Sequence, residues 1–222
     1  MAFSKKYIMI TTKVKDQSSG MKTMQDLELR LNESINILQK ARDFFARCKS
    51  FFNSSLSTEE KSLIKNLPII KDAIHAFWVI TVLELCKLAD DSPSQKHNIS
   101  KLIRDIWSDW HTLNLDKILT IKELREVESK INSTITSDRI LSIKRLRDKY
   151  YAHTDINNPN PEVELIPNFN KIDALIKDLE KVLIDLKSKL LKTTYVFVPV
   201  YQGEYLILKD LLIGINQNKL KK

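Results

Sequence analysis

The stretch AIHAFWVITVLELCKLAD, residues 73–90, is the most apolar segment of the chain. It is apolar on nearly every helical face, although His75, Glu84 and Lys87 interrupt it. A helix of this kind is stable only when other elements surround it, and its charges leave it short of the roughly 18 uncharged residues that a membrane span needs. The stretch therefore predicts the central helix, from Ile69 to Ala89, of a helical protein that does not span the membrane.

Segments on both sides of this stretch place apolar residues at helical spacing. Before it, we predict a long helix from Met24 to Phe52 and a short one that begins at Ser57 or Thr58 and ends before Pro68. After it, we predict two outer helices, a helix capped by Thr136 or Ser137 and a last long helix, in the stretches ISKLIRDIWSDWHTLN (99–114), TIKELREVESKINSTI (120–135), TSDRILSIKRLRDKYYAH (136–153) and FNKIDALIKDLEKVLIDLKSKLLK (169–192).

The segment TTYVFVPVYQGEYLILKD, residues 193–210, changes in character because β-branched and aromatic residues flank Gly203. It predicts a β-hairpin at the edge of a sheet, and residues 6–15 could add a third strand. The predicted fold class is thus mainly α: a single domain over residues 1–222, with a helical bundle over about 25–192. Its ends, 1–20 and 193–222, form a small β appendage.

Composition narrows the possible functions. Lys and Arg number 36 against 28 Asp and Glu, and the resulting net charge of +8 favours anionic partners such as nucleic acid. The three glycines form no phosphate-binding loop, which excludes nucleotide folds built on such loops. The two cysteines lie in apolar helical stretches, as buried free thiols do, and residues 1–16 lack a signal-peptide core. We therefore expect a cytoplasmic protein without disulfide, metal or cofactor.

The stretch RLRDKYYAHTD, residues 145–155, concentrates polar chemistry at the predicted end of a helix. On a helix, Arg147 and His153 lie about 120° apart and roughly 9 Å along the axis. Lys149, Tyr150 and Tyr151 lie between them, so this end of the helix presents an arc of donors. The arrangement predicts one groove lined by the arginine and the histidine.

This arc suits a phosphodiester. The planar guanidinium of an arginine is permanently charged and can donate two hydrogen bonds to phosphate oxygens, and a histidine exchanges protons near neutral pH. The pair could cleave RNA without a metal, with His153 as general acid or base and Arg147 stabilising the charged transition state. The alternative is structural: basic residues near a helix C-terminus complement the helix dipole, and tyrosines there are commonly half-buried.

The same stretch resembles the signature of the HEPN superfamily, in which an arginine and a polar residue, here Asp148, precede a histidine. It is most similar to the HEPN branch of abortive-infection proteins of the U type. In that branch the motif follows a long apolar helix ending like ELCKLADD (84–91 here) and a short helix like HNISKLIRDI (97–106). The resemblance covers about residues 25–190.

The resemblance implies an all-α bundle, commonly a homodimer whose two motif helices form a shared RNA-binding cleft. It also implies a metal-independent endoribonuclease of a phage-defence or toxin–antitoxin system, with Arg147 and His153 as the catalytic pair. An antitoxin or nucleotidyltransferase partner is possible, and Tyr150 or Tyr151 would be its target for modification. The alternative is a non-catalytic HEPN module that binds RNA, a nucleotide or a partner protein.

Other polar and aromatic residues have weaker interpretations. Glu84, on an apolar helix, is a candidate for holding Arg147 or His153 in place, or it reaches the surface or pairs with Lys87. The remaining histidines lack partners at metal-binding spacing, and the tryptophans are expected in the core rather than stacked on bases. These residues are His75, His97, His111, Trp78, Trp107 and Trp110.

Overall fold

The computed structural model describes residues 21–52, 56–90, 95–148, 169–193, 195–197, 213–214 and 217. Within these ranges the chain is mainly helical, which confirms the predicted helical class. The helices with defined bounds are α1 (Met24–Ser50), α2 (Thr58–Asn66), α3 (Pro68–Ala89), α4 (Ile99–Ser108), α5 (Ile121–Ile135), α6 (Asp138–Leu146) and α7 (Phe169–Leu191), with a 3-10 turn at Leu115–Lys117.

Side-chain caps fix the start of several helices. Thr23 and Asp26 form a capping box at α1, and Thr120 and Glu123 form one at α5. At α2, the predicted cap Ser57 accepts a hydrogen bond from the backbone N–H of Glu60 at 3.1 Å. Each bond satisfies an N–H group that has no partner inside its helix, so these polar residues set where each helix begins.

Helix α4 is shorter than the sequence predicts. It ends at Ser108, and Asn114 takes a left-handed backbone conformation with φ of 53° before the 3-10 turn. Asparagine tolerates this conformation better than most residues, which allows the chain to turn there. Leu113 and Leu115, on either side of Asn114, are both buried. Apolar residues therefore continue past the end of α4, which is why the sequence predicted a longer helix.

Helix α3 is the central helix, as predicted. It packs against α1 most extensively and also contacts α2, α4 and α6, while α7 packs against α1, α5 and α6. Phe169, the first residue of α7, joins the helices through edge-on ring contacts with Phe45, Phe52 and Trp78 at centroid distances of 5.7, 5.1 and 5.9 Å. This aromatic cluster closes one end of the bundle.

Among the described residues, no neighbouring helix covers one face of α3, which corrects the prediction that other elements surround this helix. Leu83 is 38% exposed and Ile69 is 76% exposed. Ala76 and Leu83 lie seven residues apart, which places them on the same side of the helix, and both are exposed. The apolar composition of α3 therefore exceeds what the described helices bury.

The predicted β appendage is not found in the part of the tail that the structure describes. Residues 195–197 are not in a strand. Phe197 is buried, and the guanidinium carbon of Arg42 lies 5.9 Å from the centroid of the Phe197 ring. Tyr195 lies 4.7 Å from the ammonium of Lys187. The rest of the predicted hairpin and the strand predicted at residues 6–15 lie outside the described residues.

Candidate functional site

Helix α6 carries the arginine of the predicted motif. Its buried residues Ile140, Ile143 and Leu146 face α3 and α7, because α6 packs against both helices. The α-helix ends at Leu146, and Arg147 and Asp148 continue in a wider π-helical turn. The motif therefore leaves the regular helix earlier than the sequence predicts, and turns of this kind are frequent at functional sites.

Arg147 is held by two carboxylates. Its Nη1 donates to Oδ2 of Asp90 at 2.6 Å, while Nε and Nη2 donate to Oδ1 of Asp148 at 2.8 and 2.7 Å. Its side chain remains 22% exposed. A guanidinium has five N–H donors, so within the described part of the chain two remain for another acceptor.

The environment of Arg147 keeps its charge fixed. Partial burial favours the neutral form, but the hydrogen bonds to Asp90 and Asp148 outweigh burial and raise the pKa of the guanidinium above its ordinary value. Arginine is already charged throughout the physiological range. The site therefore presents a permanent positive charge that is oriented by two carboxylates.

Asp90 is itself anchored at the junction of α3 and α4. Its backbone N–H donates to the carbonyl of Cys86 at 2.8 Å, and its own carbonyl accepts a hydrogen bond from the side-chain amide of Asn98. Asn98 is buried and caps α4 by accepting from the backbone N–H of Lys101 at 3.0 Å. One asparagine thus joins the end of α3 to the start of α4, close to Arg147.

The sequence interpretation did not assign Asp90 to the site. The signal available was its position directly after the apolar helix, in the segment ELCKLADD that carried the family resemblance. Asp90 and Arg147 are 57 positions apart, and helical spacing relates only residues a few positions apart. The pairing therefore required the tertiary structure.

Cys86 lies beside this ion pair without the properties of a nucleophile. Its thiol is buried, and burial raises its pKa to about 12, although Arg147 acts in the opposite direction. Only the thiolate form of cysteine is reactive. Cys86 therefore contributes packing at the site.

Glu84 is buried and paired, but the structure corrects the hypothesis that it holds Arg147; the alternative that it holds His153 concerns a residue outside the described ones. Its carboxylate accepts from Lys40 at 2.6 Å and from Lys87 at 2.9 Å, so the alternative pairing with Lys87 is the one observed. The side chain of Glu84 is 5% exposed, whereas those of Lys40 and Lys87 are 53% and 42% exposed. The partner of Arg147 is Asp90, which directly follows α3 and lies six positions after Glu84, about 9 Å further along the helix axis.

The two lysines also determine the protonation of Glu84. Burial raises the pKa of its carboxyl group. The hydrogen bonds from Lys40 and Lys87 lower this pKa by more than burial raises it, so the pKa lies below its ordinary value. The folded state thus favours the ionised carboxylate. Its stabilising contribution is complete above the ordinary pKa of 4.5 and is lost as the pH falls through the lower pKa of the folded state.

Replacing Glu84 with glutamine is expected to lower the free energy of unfolding by about 1–2 kcal/mol at neutral pH, because two charge-assisted hydrogen bonds become weaker. The loss of stability on acidification below about pH 4.5 should also be less steep in the variant. Urea unfolding at several pH values measures both effects. The matched control is Glu126→Gln on the exposed side of α5. If the free energy of unfolding fell equally steeply with pH in Glu84→Gln and in wild type, the expectation would be wrong.

The other residues of the predicted site lie outside the described residues. These are Lys149, Tyr150, Tyr151 and His153.

The tryptophan prediction is confirmed: Trp78 and Trp110 are buried, and Trp107 stacks on Trp110 at 5.8 Å. Among the residues that the structure describes, no group of three or more His, Cys, Asp or Glu side chains could hold a metal ion.

The family model of HEPN_AbiU2, described as AbiU2, matches residues 69–211, which is more than half of the chain. The chain belongs to the HEPN_AbiU2 family. This confirms the resemblance to abortive-infection HEPN proteins of the U type. No curated protein and no solved structure matches the chain.

The HEPN_AbiU2 match differs in extent from the resemblance recognised in the sequence. It begins in α3 and ends beyond α7, so it includes Asp90, Arg147 and His153, whereas α1 lies before it. It also reaches into the C-terminal tail, which the sequence interpretation left unmatched. None of the described helices combines the length and the apolar character needed to cross a membrane.

Proposed function

We propose that this HEPN_AbiU2 protein is a metal-independent endoribonuclease of a phage-defence or toxin–antitoxin system that cleaves RNA through Arg147 and His153. The observation that supports the proposal best is the preorganised guanidinium of Arg147. Asp90 and Asp148 orient it, and two of its N–H donors remain for a phosphate within the described part of the chain. Such a group stabilises charge that develops on a phosphate oxygen.

The reaction is a transesterification. His153 accepts the proton of the ribose 2′-hydroxyl, whose oxygen attacks the adjacent phosphorus while the bond from phosphorus to the 5′-oxygen breaks. The leaving 5′-oxygen takes a proton from water, and protonated His153 returns its proton to the solvent, so the products carry a 2′,3′-cyclic phosphate and a 5′-hydroxyl. Arg147 neutralises the charge of the crowded phosphorane-like transition state, which is more anionic at its equatorial oxygens than the starting diester.

The test of this proposal is incubation of purified protein with a mixed RNA pool in EDTA. Cleavage that leaves 2′,3′-cyclic phosphate ends is expected, since the proposed step uses only side chains and the ribose. Products with 5′-phosphate ends would contradict it. RNA binding without any cleavage by the folded protein would support the non-catalytic HEPN module instead.

The active form in this proposal is a homodimer in which the two Arg147 sites face one another. The exposed side of α3, with Ala76 and Leu83, ends at Asp90 and so leads directly to Arg147. An apolar stripe that is exposed in one chain is a common site of association. A partner there would cover Leu83 and bring the second site close to the first.

Light scattering at micromolar concentration should therefore give about twice the chain mass of 25.8 kDa. The variant Leu83→Asp should be monomeric and should lose RNA cleavage, because it places an unpaired charge in the interface. Leu29→Asp, at an exposed leucine of α1, is the matched control. A monomeric wild type that still cleaves RNA would contradict the dimer.

A further inference from the structure

An arginine and three phenylalanines form a partly exposed cluster where the last turns of α1 meet the middle of α3. The guanidinium of Arg47 lies 5.1 Å from the ring centroid of Phe44 and 5.8 Å from that of Phe77. The rings of Phe44 and Phe77 are 5.8 Å apart, and Phe51 lies 6.4 Å from Phe77. Guanidinium planes and aromatic rings are the surfaces on which unpaired bases of RNA stack.

A cationic pair follows along the same two helices. Lys40 and Lys87 share the single buried carboxylate of Glu84, so the group carries a net charge of one positive unit. Each ammonium has three donors, and one of each serves Glu84. Because both lysines are about half exposed, their other donors can reach a phosphate, and the two ammonium groups could bind its oxygens together.

The spacing of these groups leads from the aromatic cluster to Arg147. On α1, Lys40, Phe44 and Arg47 lie at intervals of four and three residues and therefore share one face. Asp90 follows Phe77 by thirteen positions, which corresponds to about 20 Å along α3, and Lys87 lies between them. The path thus runs along the groove of α1 and α3, crosses α3 at Lys87 and ends at the partner of Arg147.

We propose that this path is a binding site for single-stranded RNA, with a phosphate at Lys40 and Lys87 and a base stacked on the cluster of Arg47, Phe44 and Phe77. The inference rests on the proposed endoribonuclease function, because it assigns the RNA segment beside the cleaved bond to this groove. Charge complementarity favours RNA over a protein occupant. A stacked strand rises about 3.4 Å per nucleotide, so the path accommodates at most about six nucleotides.

The test measures RNA binding and RNA length dependence in the full chain. Fluorescence anisotropy with single-stranded oligonucleotides of about two to ten nucleotides is carried out in the His153→Ala background, so that cleavage does not interfere. Affinity should rise with length up to about six nucleotides. Arg47→Gln should weaken binding of the longer oligonucleotides about tenfold and should abolish much of this rise, because the loss of one stacked base has an effect of that order.

Three further variants separate stacking, charge and folding. Arg47→Lys retains the charge but not the planar surface, so it should behave nearly like Arg47→Gln on long RNA. Lys87→Gln should reduce the salt dependence of binding by about one unit of slope. Arg125→Gln, which removes the same charge from an exposed position of α5, should bind like wild type, and circular dichroism confirms that each variant is folded.

Failure of this inference is distinguishable from failure of the proposed function. Wild-type protein that cleaves RNA, together with unchanged affinity and length dependence in Arg47→Gln, would overturn the binding path alone and assign the cluster to folding or to a protein partner. Length-dependent binding that Arg47→Gln removes, in a protein that does not cleave RNA, would support the path and overturn the endoribonuclease. Absence of both binding and cleavage in the folded wild type would overturn both.

Discussion

Replacing Arg147 with alanine is expected to slow RNA cleavage by about 10²–10³-fold, because one preorganised group that stabilises transition-state charge contributes an effect of this size. Replacing His153 with alanine should slow it by about 10²–10⁴-fold, because proton transfer from the 2′-hydroxyl is no longer assisted. Initial rates on one RNA substrate in EDTA measure both losses. The double variant should lose little more than the more impaired single variant, since the two residues act in the same step.

Arg145 provides the matched control for Arg147. It is exposed on α6 and lies two positions earlier, so Arg145→Ala removes the same charge without removing the oriented guanidinium. A loss in Arg145→Ala as large as in Arg147→Ala would show that general basicity, rather than this site, determines the rate. The pH profile adds a second check: because Arg147 stays charged, any loss of wild-type cleavage on acidification should be absent from His153→Ala.

Replacing Asp90 with alanine is expected to lower kcat by about 10²-fold, because Arg147 loses the contact that fixes its direction. A displacement of about 1 Å at a reacting group is enough for an effect of this size. Asp90 acts through Arg147 and is a positioning residue, so the loss should fall on kcat more than on KM. Asp90→Asn retains an acceptor for Nη1 of Arg147 and should recover part of the rate.

The ion pair between Arg30 and Asp105 provides the matched control for Asp90. Its atoms Nη1 and Oδ2 are 2.5 Å apart, and both side chains are about one quarter exposed, much like Arg147 and Asp90. Asp105→Ala should therefore lower the melting temperature about as much as Asp90→Ala, while cleavage is retained. Faster cleavage in Asp90→Ala would mean that Asp90 withholds Arg147 from RNA and would contradict its positioning role.

The helices of this protein could be predicted from the sequence because local chemistry determines them. The periodic apolar residues of α7 and the cap at Ser57 are visible within a few positions of the chain. The pairs that build the site depend instead on residues far apart, such as Asp90 with Arg147 and Lys40 with Glu84. The burial of Glu84 and its pairing with Lys87 one turn away were predictable from the helix, but its pairing with Lys40 on α1 was not.

The tail shows a different limit of sequence patterns. Aromatic and β-branched residues around Phe197 predicted a strand, yet Phe197 is buried beneath Arg42, and residues 195–197 form no strand. Strand preference mostly reflects how well a side chain packs on a half-buried surface. The surface of α1 and α7 provides such packing without a sheet, so composition alone could not distinguish the two outcomes.

The two cysteines have a practical consequence. Cys48 and Cys86 are both buried, and burial raises the pKa of each thiol to about 12. At neutral pH neither presents a thiolate to a labelling reagent. A cysteine introduced on the surface should therefore react with maleimide dyes well before the native pair. Fluorescent probes could then be attached at either end of the bundle without replacing Cys48 and Cys86.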